Sequence, residues 1–223
     1  MMGRCPVAHS SLFIHNDYMY TSMSQEEATL AIIRLIILFA CLPIHEFCHA
    51  FAAYKLGDDT AKRNGRLTLN PLRHLDIMGS LMLLMFGFGY AKPVPVNIRN
   101  FKRPKRDFAI TAIAGPASNF LLSVICVMVC KYAGAHLSSF AAFALFYAAC
   151  VNMALCVFNL IPIPPLDGSR ILMAFLPNAA YNKILQNERK ISAGFFVAWI
   201  AISYLGLNPV WSVSSWILSL LFG

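Results

Sequence analysis

Charged side chains are scarce in this sequence: Asp, Glu, Lys and Arg together make up 13% of its 223 residues, and 58% are hydrophobic. A soluble globular domain has about 25% charged and about 45–50% apolar residues, so this composition excludes an ordinary soluble domain. The apolar residues also occur in runs long enough to cross a bilayer, which takes about 20 residues per helix. The sequence therefore predicts an all-α, polytopic membrane protein with about 4–6 transmembrane helices.

Acidic residues are the rarer charge, with 10 Asp and Glu against 18 Lys and Arg and a net charge of +8. Basic residues concentrate at 55–73, 92–106 and 183–190, between the apolar runs. The positive-inside rule places such loops in the cytoplasm. A nucleic-acid-binding protein would carry a basic stripe on one folded surface, so no nucleic-acid partner is predicted. The expected setting is the lipid bilayer of the cell membrane, crossed several times.

The sequence also lacks a signal-peptide core, an internal repeat and a disulfide framework. Residues 1–27 contain no apolar core of the length that a signal peptide needs, and we interpret them as an N-terminal tail. The seven cysteines are an odd number, and six lie in apolar runs, where they behave as small hydrophobic side chains. Residues 28–223 are predicted to form a single membrane-embedded domain. Nothing in the sequence indicates its oligomeric state.

The long apolar runs locate the predicted helices. We expect a first helix at 26–56, spans at Phe108–Tyr132 and Phe140–Ile161, and one broken or two short segments at 191–207 and 210–222. A further run, Ile77–Tyr90, has only 14 residues and basic flanks on both sides. It predicts a re-entrant hairpin around 77–100, whose proline-rich part, Lys92–Asn97, is typical of an edge strand that cannot pair fully.

Ionisable residues in the middle of an apolar run are costly, and the first helix contains three of them. His45, Glu46 and His49 form the pattern H-E-x-x-H. On a helix, two histidines four residues apart lie on the same face and can bind one tetrahedral zinc ion. Glu46 beside them can take a proton from a metal-bound water. Cys48 is interpreted as a small hydrophobic residue, because the two histidines already supply the metal-binding face.

A hydrolytic zinc site needs a third protein ligand, and the known soluble patterns do not supply it. Residues 62–72 contain no Asp, Glu or His, which excludes a thermolysin-like site. Ala52 and Lys55 stand where a metzincin has glycine and histidine. Eight of the ten acidic residues lie in tails, loops or span boundaries; apart from Glu46, only Asp167 follows an apolar, proline-rich turn. Asp167 is therefore either a helix N-cap or the missing ligand, and the incomplete zinc site favours the ligand.

Buried His, Glu and Asp side chains can also carry protons or metal ions across a membrane, so a metal-ion or proton transporter is the alternative from another functional class. A transporter would carry ionisable residues on several spans, often with repeat symmetry. This sequence shows neither feature. Asn119 and Asn152 have a structural interpretation too, as interhelical hydrogen-bonding residues.

Three motifs in order resemble the site-2 protease family of intramembrane zinc metalloproteases. They are His45-Glu46-x-x-His49-Ala50, Gly115-Pro116-x-x-Asn119 and Asn159…Pro-Pro-Leu-Asp167-Gly168. The stretches Gly65–Pro71 and Gly89–Asn97 are also similar to compact bacterial members, and the similarity covers about residues 28–175. The resemblance implies one Zn²⁺ per chain, with His45, His49 and Asp167 as ligands and Glu46 as the general base. It also implies that Asn119 and Asn159 help to position the substrate or the intermediate.

The implied activity is hydrolysis of peptide bonds within or near transmembrane segments of membrane proteins, as in regulated intramembrane proteolysis. Many members of the family carry a PDZ or CBS domain, and the resemblance here is to the compact type without either. A catalytically inactive chaperone or adaptor of the same fold is a further alternative, and the intact Glu46 argues against it. The active site is expected nearer the cytoplasmic side of the membrane.

Overall fold

The structure is a computed structural model that describes residues 25–74 and 92–222, with side chains in α1 described from Phe39 onward. Within these ranges the regular elements are helices, which confirms the all-α fold class. The helices are α1 (Gln25–Lys55), α2 (Thr60–Arg63), α3 (Pro104–Ala133), α4 (Ser139–Asn159), α5 (Asp167–Phe175), α6 (Asn178–Tyr204) and α7 (Pro209–Phe222). The predicted tail lies almost wholly outside the described residues, and the division into tail and membrane domain stays a prediction.

Two helices in the described part are long and apolar enough to cross a membrane. These are α3, with a mean hydropathy of 2.0, and α4, with 2.1. Helices α6 and α7 pass the same test together but meet at an angle of 74°, as one broken span would. Helix α1 has 31 residues and a length of about 46 Å, enough to cross a hydrocarbon core of about 30 Å with tilt. The chain is thus a polytopic membrane protein.

Helix α3 lies at the centre of the bundle and packs against α1, α4 and α5. Its contact with α4 is close because small side chains meet there: Ser123 in α3 donates to the carbonyl of the fully buried Ala149 at 2.8 Å. Asn152 joins α4 to α1 through its Nδ2 atom, which lies 3.0 Å from the sulfur of Cys41. The interhelical role expected for Asn152 is therefore seen in the structure.

One sequence-based boundary is wrong. The basic stretch 183–190 was expected between apolar runs, but it lies inside α6, which runs from Asn178 to Tyr204. The reason is local: Lys, Glu, Arg, Gln and Leu form helix readily, and no glycine or proline interrupts the chain between Pro177 and Gly194. Helix α6 thus carries a basic first half and an apolar second half.

Most of the predicted re-entrant hairpin around 77–100 lies outside the described residues, since residues 77–91 are not among them. Its proline-rich part, Lys92–Asn97, is not part of a regular strand. Residues that precede a proline favour extended conformations, and Pro93 and Pro95 impose this on their neighbours. The segment starts where the Lys92 amide donates to the His74 carbonyl at 2.8 Å. It ends at a 3₁₀ turn, Ile98–Asn100, and leads on to α3.

Candidate metal centre

Two buried histidines lie one helical turn apart on α1. His45 and His49 are 4% and 8% exposed, and their Nε2 atoms are 3.0 Å apart. Four residues along a helix bring two side chains onto the same face, so the H-E-x-x-H spacing produces this approach directly. Pro43 precedes the pair, and the helix continues through it to Lys55.

Asp167 brings a carboxylate to the same point from the other part of the chain. Its Oδ2 atom lies 3.3 Å from His45 Nε2 and 3.2 Å from His49 Nε2. Asp167 is the first residue of α5, and Leu166 occupies the N-cap position without a side-chain capping bond. The carboxylate of Asp167 is therefore directed to the histidines rather than to the helix end. We call His45, His49 and Asp167 the three-ligand group.

The spacing of the three-ligand group fits a tetrahedral metal ion. Nitrogen and oxygen ligands at about 2.0–2.1 Å from a tetrahedral zinc are about 3.3 Å from one another. The three separations here are 3.0, 3.2 and 3.3 Å. Three protein ligands leave the fourth position of a tetrahedron open, as catalytic zinc sites do. The residues present could therefore hold a zinc ion together with a water or a substrate oxygen.

The outer nitrogens of both rings are bonded to oxygen atoms. His45 Nδ1 donates to Asn119 Oδ1 at 2.9 Å, and His49 Nδ1 donates to the Thr111 carbonyl at 2.7 Å. Because a carbonyl oxygen can only accept, each Nδ1 carries a proton, and in the neutral imidazole each Nε2 then presents a lone pair. Two lone pairs and a carboxylate oxygen then face one another at about 3 Å, an arrangement that a cation between them stabilises.

Gly115 in α3 leaves room for the two histidines. A Cβ atom on Gly115 would lie 2.3 Å from His49 Nε2 and 2.6 Å from His45 Cε1. No side chain fits at this distance, so α3 can approach the ligand face of α1 only with glycine here. The glycine of the second motif therefore permits close packing of α3 on the histidine face of α1.

The turn before α5 fixes Asp167. A Cβ atom on Gly168 would lie 2.2 Å from the Leu160 carbonyl oxygen, so the helix start is packed directly on the backbone that follows α4. Further along α5, Arg170 forms an ion pair with Glu188 of α6. The guanidinium carbon of Arg170 also lies 5.5 Å from the ring centre of Phe108 in α3. Helix α5 is thus held by its neighbours on two sides.

Glu46 is buried next to His45, and its Oε2 atom accepts a hydrogen bond of 3.3 Å from the backbone amide of Val94. Asn119 is fully buried and contacts the site through His45, while its Nδ2 atom has no partner among the described residues. Asn159 makes no hydrogen bond to the three-ligand group among the described residues; its amide donates to the Leu155 carbonyl of its own helix at 3.0 Å. Cys48 is a half-buried free cysteine outside the group.

Comparison with known proteins identifies the family. The description "Peptidase family M50" matches residues 127–203, which include Asp167 but not α1. The chain is 42% identical over 185 residues to "Putative zinc metalloprotease YwhC" of Bacillus subtilis, covering 79% of this chain and 83% of that protein. This chain belongs to peptidase family M50, the site-2 protease family.

Other M50 relatives are more distant. Rip2 of Mycolicibacterium smegmatis, also named as a zinc metalloprotease, is 33% identical over 134 residues, which are 57% of this chain and 51% of Rip2. "Zinc metalloprotease MJ0392" of Methanocaldococcus jannaschii is 26% identical over 176 residues, 78% of this chain and 44% of that protein. This chain thus matches about half the length of these two relatives, and no solved structure matches it. The relatives' names, together with the three-ligand group, indicate Zn²⁺ as the cofactor.

Several residues that shape this M50 site were missed from the sequence. Thr111 and Val94 act through backbone atoms, which leave no signature in the side chain. Asp58 was grouped with the loop acids, although it is fully buried. A signal for it existed: Gly57 followed by Asp58 and Thr60 is a typical helix-ending turn with a local side-chain hydrogen bond.

Proposed function

We propose that this protein is an intramembrane zinc metalloprotease that hydrolyses peptide bonds within or near transmembrane segments of membrane proteins. The observation that carries the proposal is the three-ligand group in an apolar helical bundle, with Glu46 buried next to His45 on the same helix. In this proposal His45, His49 and Asp167 are the zinc ligands and Glu46 is the general base. The names of the relatives support the reaction type.

A zinc ion bound there would lower the pKa of a water ligand towards about 7 and polarise the scissile carbonyl. Glu46 accepts the proton as the water attacks and delivers it to the leaving amine. The Val94 amide holds one oxygen of Glu46 and so keeps the carboxylate in one orientation. Asn119 keeps the lone pair of His45 Nε2 directed inward by accepting the Nδ1 proton.

The two asparagines have different positioning roles in this proposal. Asn119 has a buried Nδ2 donor without a partner in the described residues, which is available to an oxygen of the substrate or the intermediate. Asn159 lies eight residues before Asp167 in sequence and is half-buried. Its amide donates one N–H to the Leu155 carbonyl, so the second N–H and the Oδ1 atom are the groups that can contact a substrate.

A transmembrane substrate has to unwind locally, because its peptide bonds are enclosed in intrahelical hydrogen bonds. We propose that Lys92–Asn97 holds the unwound segment by main-chain pairing. The amides of Lys92 and Val94 are already bonded within the protein, and Pro93 and Pro95 have none. The segment therefore offers mainly carbonyl oxygens, and the substrate supplies the N–H groups. Proline or aspartate at Val96 should impair cleavage of a reporter, and unchanged cleavage would refute this part of the proposal.

The site is proposed to lie towards the cytoplasmic side of the cell membrane. His49 is eight residues before Gly57, or about 12 Å along the helix. Beyond Gly57 the chain is rich in basic residues, which the positive-inside rule places in the cytoplasm.

The test uses purified protein in liposomes with a transmembrane reporter. Wild type should cleave it, a zinc chelator should stop cleavage, and added Zn²⁺ should restore it. Glu46→Gln should retain one zinc per chain and lose at least a hundredfold in rate, the size of a general-base contribution. Zinc-dependent ion flux without cleavage would support a transporter instead. Binding of membrane proteins with no cleavage across a broad reporter panel would support a chaperone or adaptor.

A further inference from the structure

Asp58 is completely buried although it stands in the polar segment just after α1. Its Oδ1 atom accepts hydrogen bonds from the Thr60 amide at 3.1 Å, the Thr60 hydroxyl at 2.5 Å and Asn100 Nδ2 at 2.7 Å. Its Oδ2 atom accepts the backbone amide of Asn97 at 2.7 Å. A buried carboxylate is costly unless it is bonded in this way. Burial raises the pKa of Asp58, but these hydrogen bonds outweigh it and hold the pKa below its ordinary value.

The Asp58 carboxylate connects the end of α1 to Lys92–Asn97, the segment whose Val94 amide bonds Glu46. Gly57 turns the chain with φ +106°, and the Asp58 amide donates back to the Ala53 carbonyl at 2.9 Å. Asp58 is therefore held beside the last turns of α1. Its bond to Asn97 fixes the far end of Lys92–Asn97 against the same helix.

Two hydrogen bonds attach the segment at positions three residues apart. Val94 and Asn97 are about 10 Å from each other in extended chain at 3.3–3.6 Å per residue. Val94 donates to Glu46 at one end and Asn97 donates to Asp58 at the other. Pro95 lies between them with its φ fixed, so the segment is stiff and a shift at Asn97 reaches Val94.

We infer that Asp58 is a positioning residue for the proposed hydrolysis: by fixing Asn97 it sets the place of the Val94 amide and, through it, the orientation of the Glu46 carboxylate. This inference rests on the proposed function. It assigns Asp58 no contact with substrate or metal. The competing interpretation is that Asp58 only stabilises the turn after α1.

The substitution Asp58→Asn separates these two interpretations. The asparagine oxygen can keep the bonds from Thr60 and Asn100, while its NH₂ group replaces the acceptor that faces the Asn97 amide. The link to the segment is then broken and the rest of the turn is preserved. Thr60→Val is the matched control, because it removes a donor to the same carboxylate and leaves the Asn97 bond in place.

Two readouts are needed, zinc-normalised kcat on a transmembrane reporter and hydrogen exchange of the peptide that contains Val94 and Asn97. For Asp58→Asn we expect one zinc per chain, faster exchange in that peptide and a kcat lower by about 10- to 100-fold, the effect of misplacing a catalytic group by about 1 Å. The kcat of Thr60→Val, per zinc-loaded molecule, should stay within about twofold of the wild-type value. A wild-type kcat or a wild-type exchange rate in Asp58→Asn would overturn the inference. An equal loss of kcat in Thr60→Val would also overturn it.

If Asp58→Asn does not fold, Pro95→Gly serves instead, since it keeps both attachments and removes the fixed φ between them. The same rise in exchange and fall in kcat are expected, and wild-type values would overturn the inference. Failure of the proposed function is recognised separately, by a wild-type protein that does not cleave any reporter. In that case the exchange of the Val94 peptide in Asp58→Asn still decides whether the link exists.

Discussion

The Oδ1 atom of Asn119 accepts the Nδ1 proton of His45 at 2.9 Å, across the contact between α3 and α1. The second motif of the sequence thus acts on the first through one hydrogen bond. Both residues are buried, so water cannot replace this bond if it is lost. The orientation of one histidine of the three-ligand group therefore depends on a neighbouring helix.

The first prediction concerns this bond. Asn119→Leu keeps the branching and the number of heavy atoms of the side chain and removes the acceptor, so we expect zinc affinity to fall by about 10- to 100-fold, as for other bonds that orient a metal-binding histidine. Competition with a calibrated chelator measures the change. Asn152→Leu is the control, because Asn152 is an equally buried asparagine that contacts Cys41 rather than the site. Equal zinc affinities in wild type and Asn119→Leu would contradict the prediction.

The second prediction concerns the space at Gly115. Gly115→Ala puts a methyl group 2.3 Å from His49 Nε2, so the histidines or α3 must move and the three-ligand group must open. We expect the purified variant to contain less than about a tenth of the zinc of wild type, measured by elemental analysis.

Gly134→Ala is the matched control for that substitution, since nothing lies within 4 Å of the added methyl group. Gly134 also has an ordinary helical backbone, with φ −58° and ψ −32°. Full zinc content in Gly134→Ala together with loss in Gly115→Ala is the expected pair of results. Full zinc content in both would show that the site tolerates the methyl group.

The third prediction compares two ion pairs. Arg170 and Glu188 are only 18% and 29% exposed, whereas Arg63 and Asp59 are 68% and 48% exposed. Glu188→Gln leaves Arg170 partly buried without its charge partner and should lower the free energy of unfolding by about 1–3 kcal/mol. Asp59→Asn should change it by less than about 1 kcal/mol. Denaturation in a mild detergent measures both, and equal effects would show that α5 does not depend on its bond to α6.

The fourth prediction concerns pH and Asp58. Because the pKa of Asp58 is lowered in the folded protein, its ionised form stabilises the fold above the unfolded-state pKa of about 3.9. This stabilisation is lost as the pH falls through about 4 towards the lower folded-state pKa. The Tm of wild type should exceed that of Asp58→Asn at pH 6, and this difference in Tm should become smaller below about pH 4. A constant gap from pH 6 to pH 3 would contradict the lowered pKa.

The sequence predicts the members of the three-ligand group better than their surroundings. His45 and His49 follow from helical spacing, and Asp167 follows because few acids lie in apolar surroundings. The hydrogen bonds around the site could not be predicted in the same way. The Thr111 carbonyl, which bonds His49, and the Val94 amide, which bonds Glu46, are backbone groups that leave no signature in the side chain. The orientation of Asn159 towards its own helix depends on the packing of α4, which spacing does not reveal. The stretch 183–190 was predicted as a loop because of its charge. Its residues have high helix propensity, and the structure places them inside α6.

Asp167 is 118 residues after His49, and this separation has a consequence for synthesis in the cell. While the chain is being made, α1 is complete long before α5 has left the ribosome. A nascent chain, or one truncated before Asp167, contains two members of the three-ligand group and lacks the third. The order of synthesis therefore delays completion of the three-ligand group until α5 has been made.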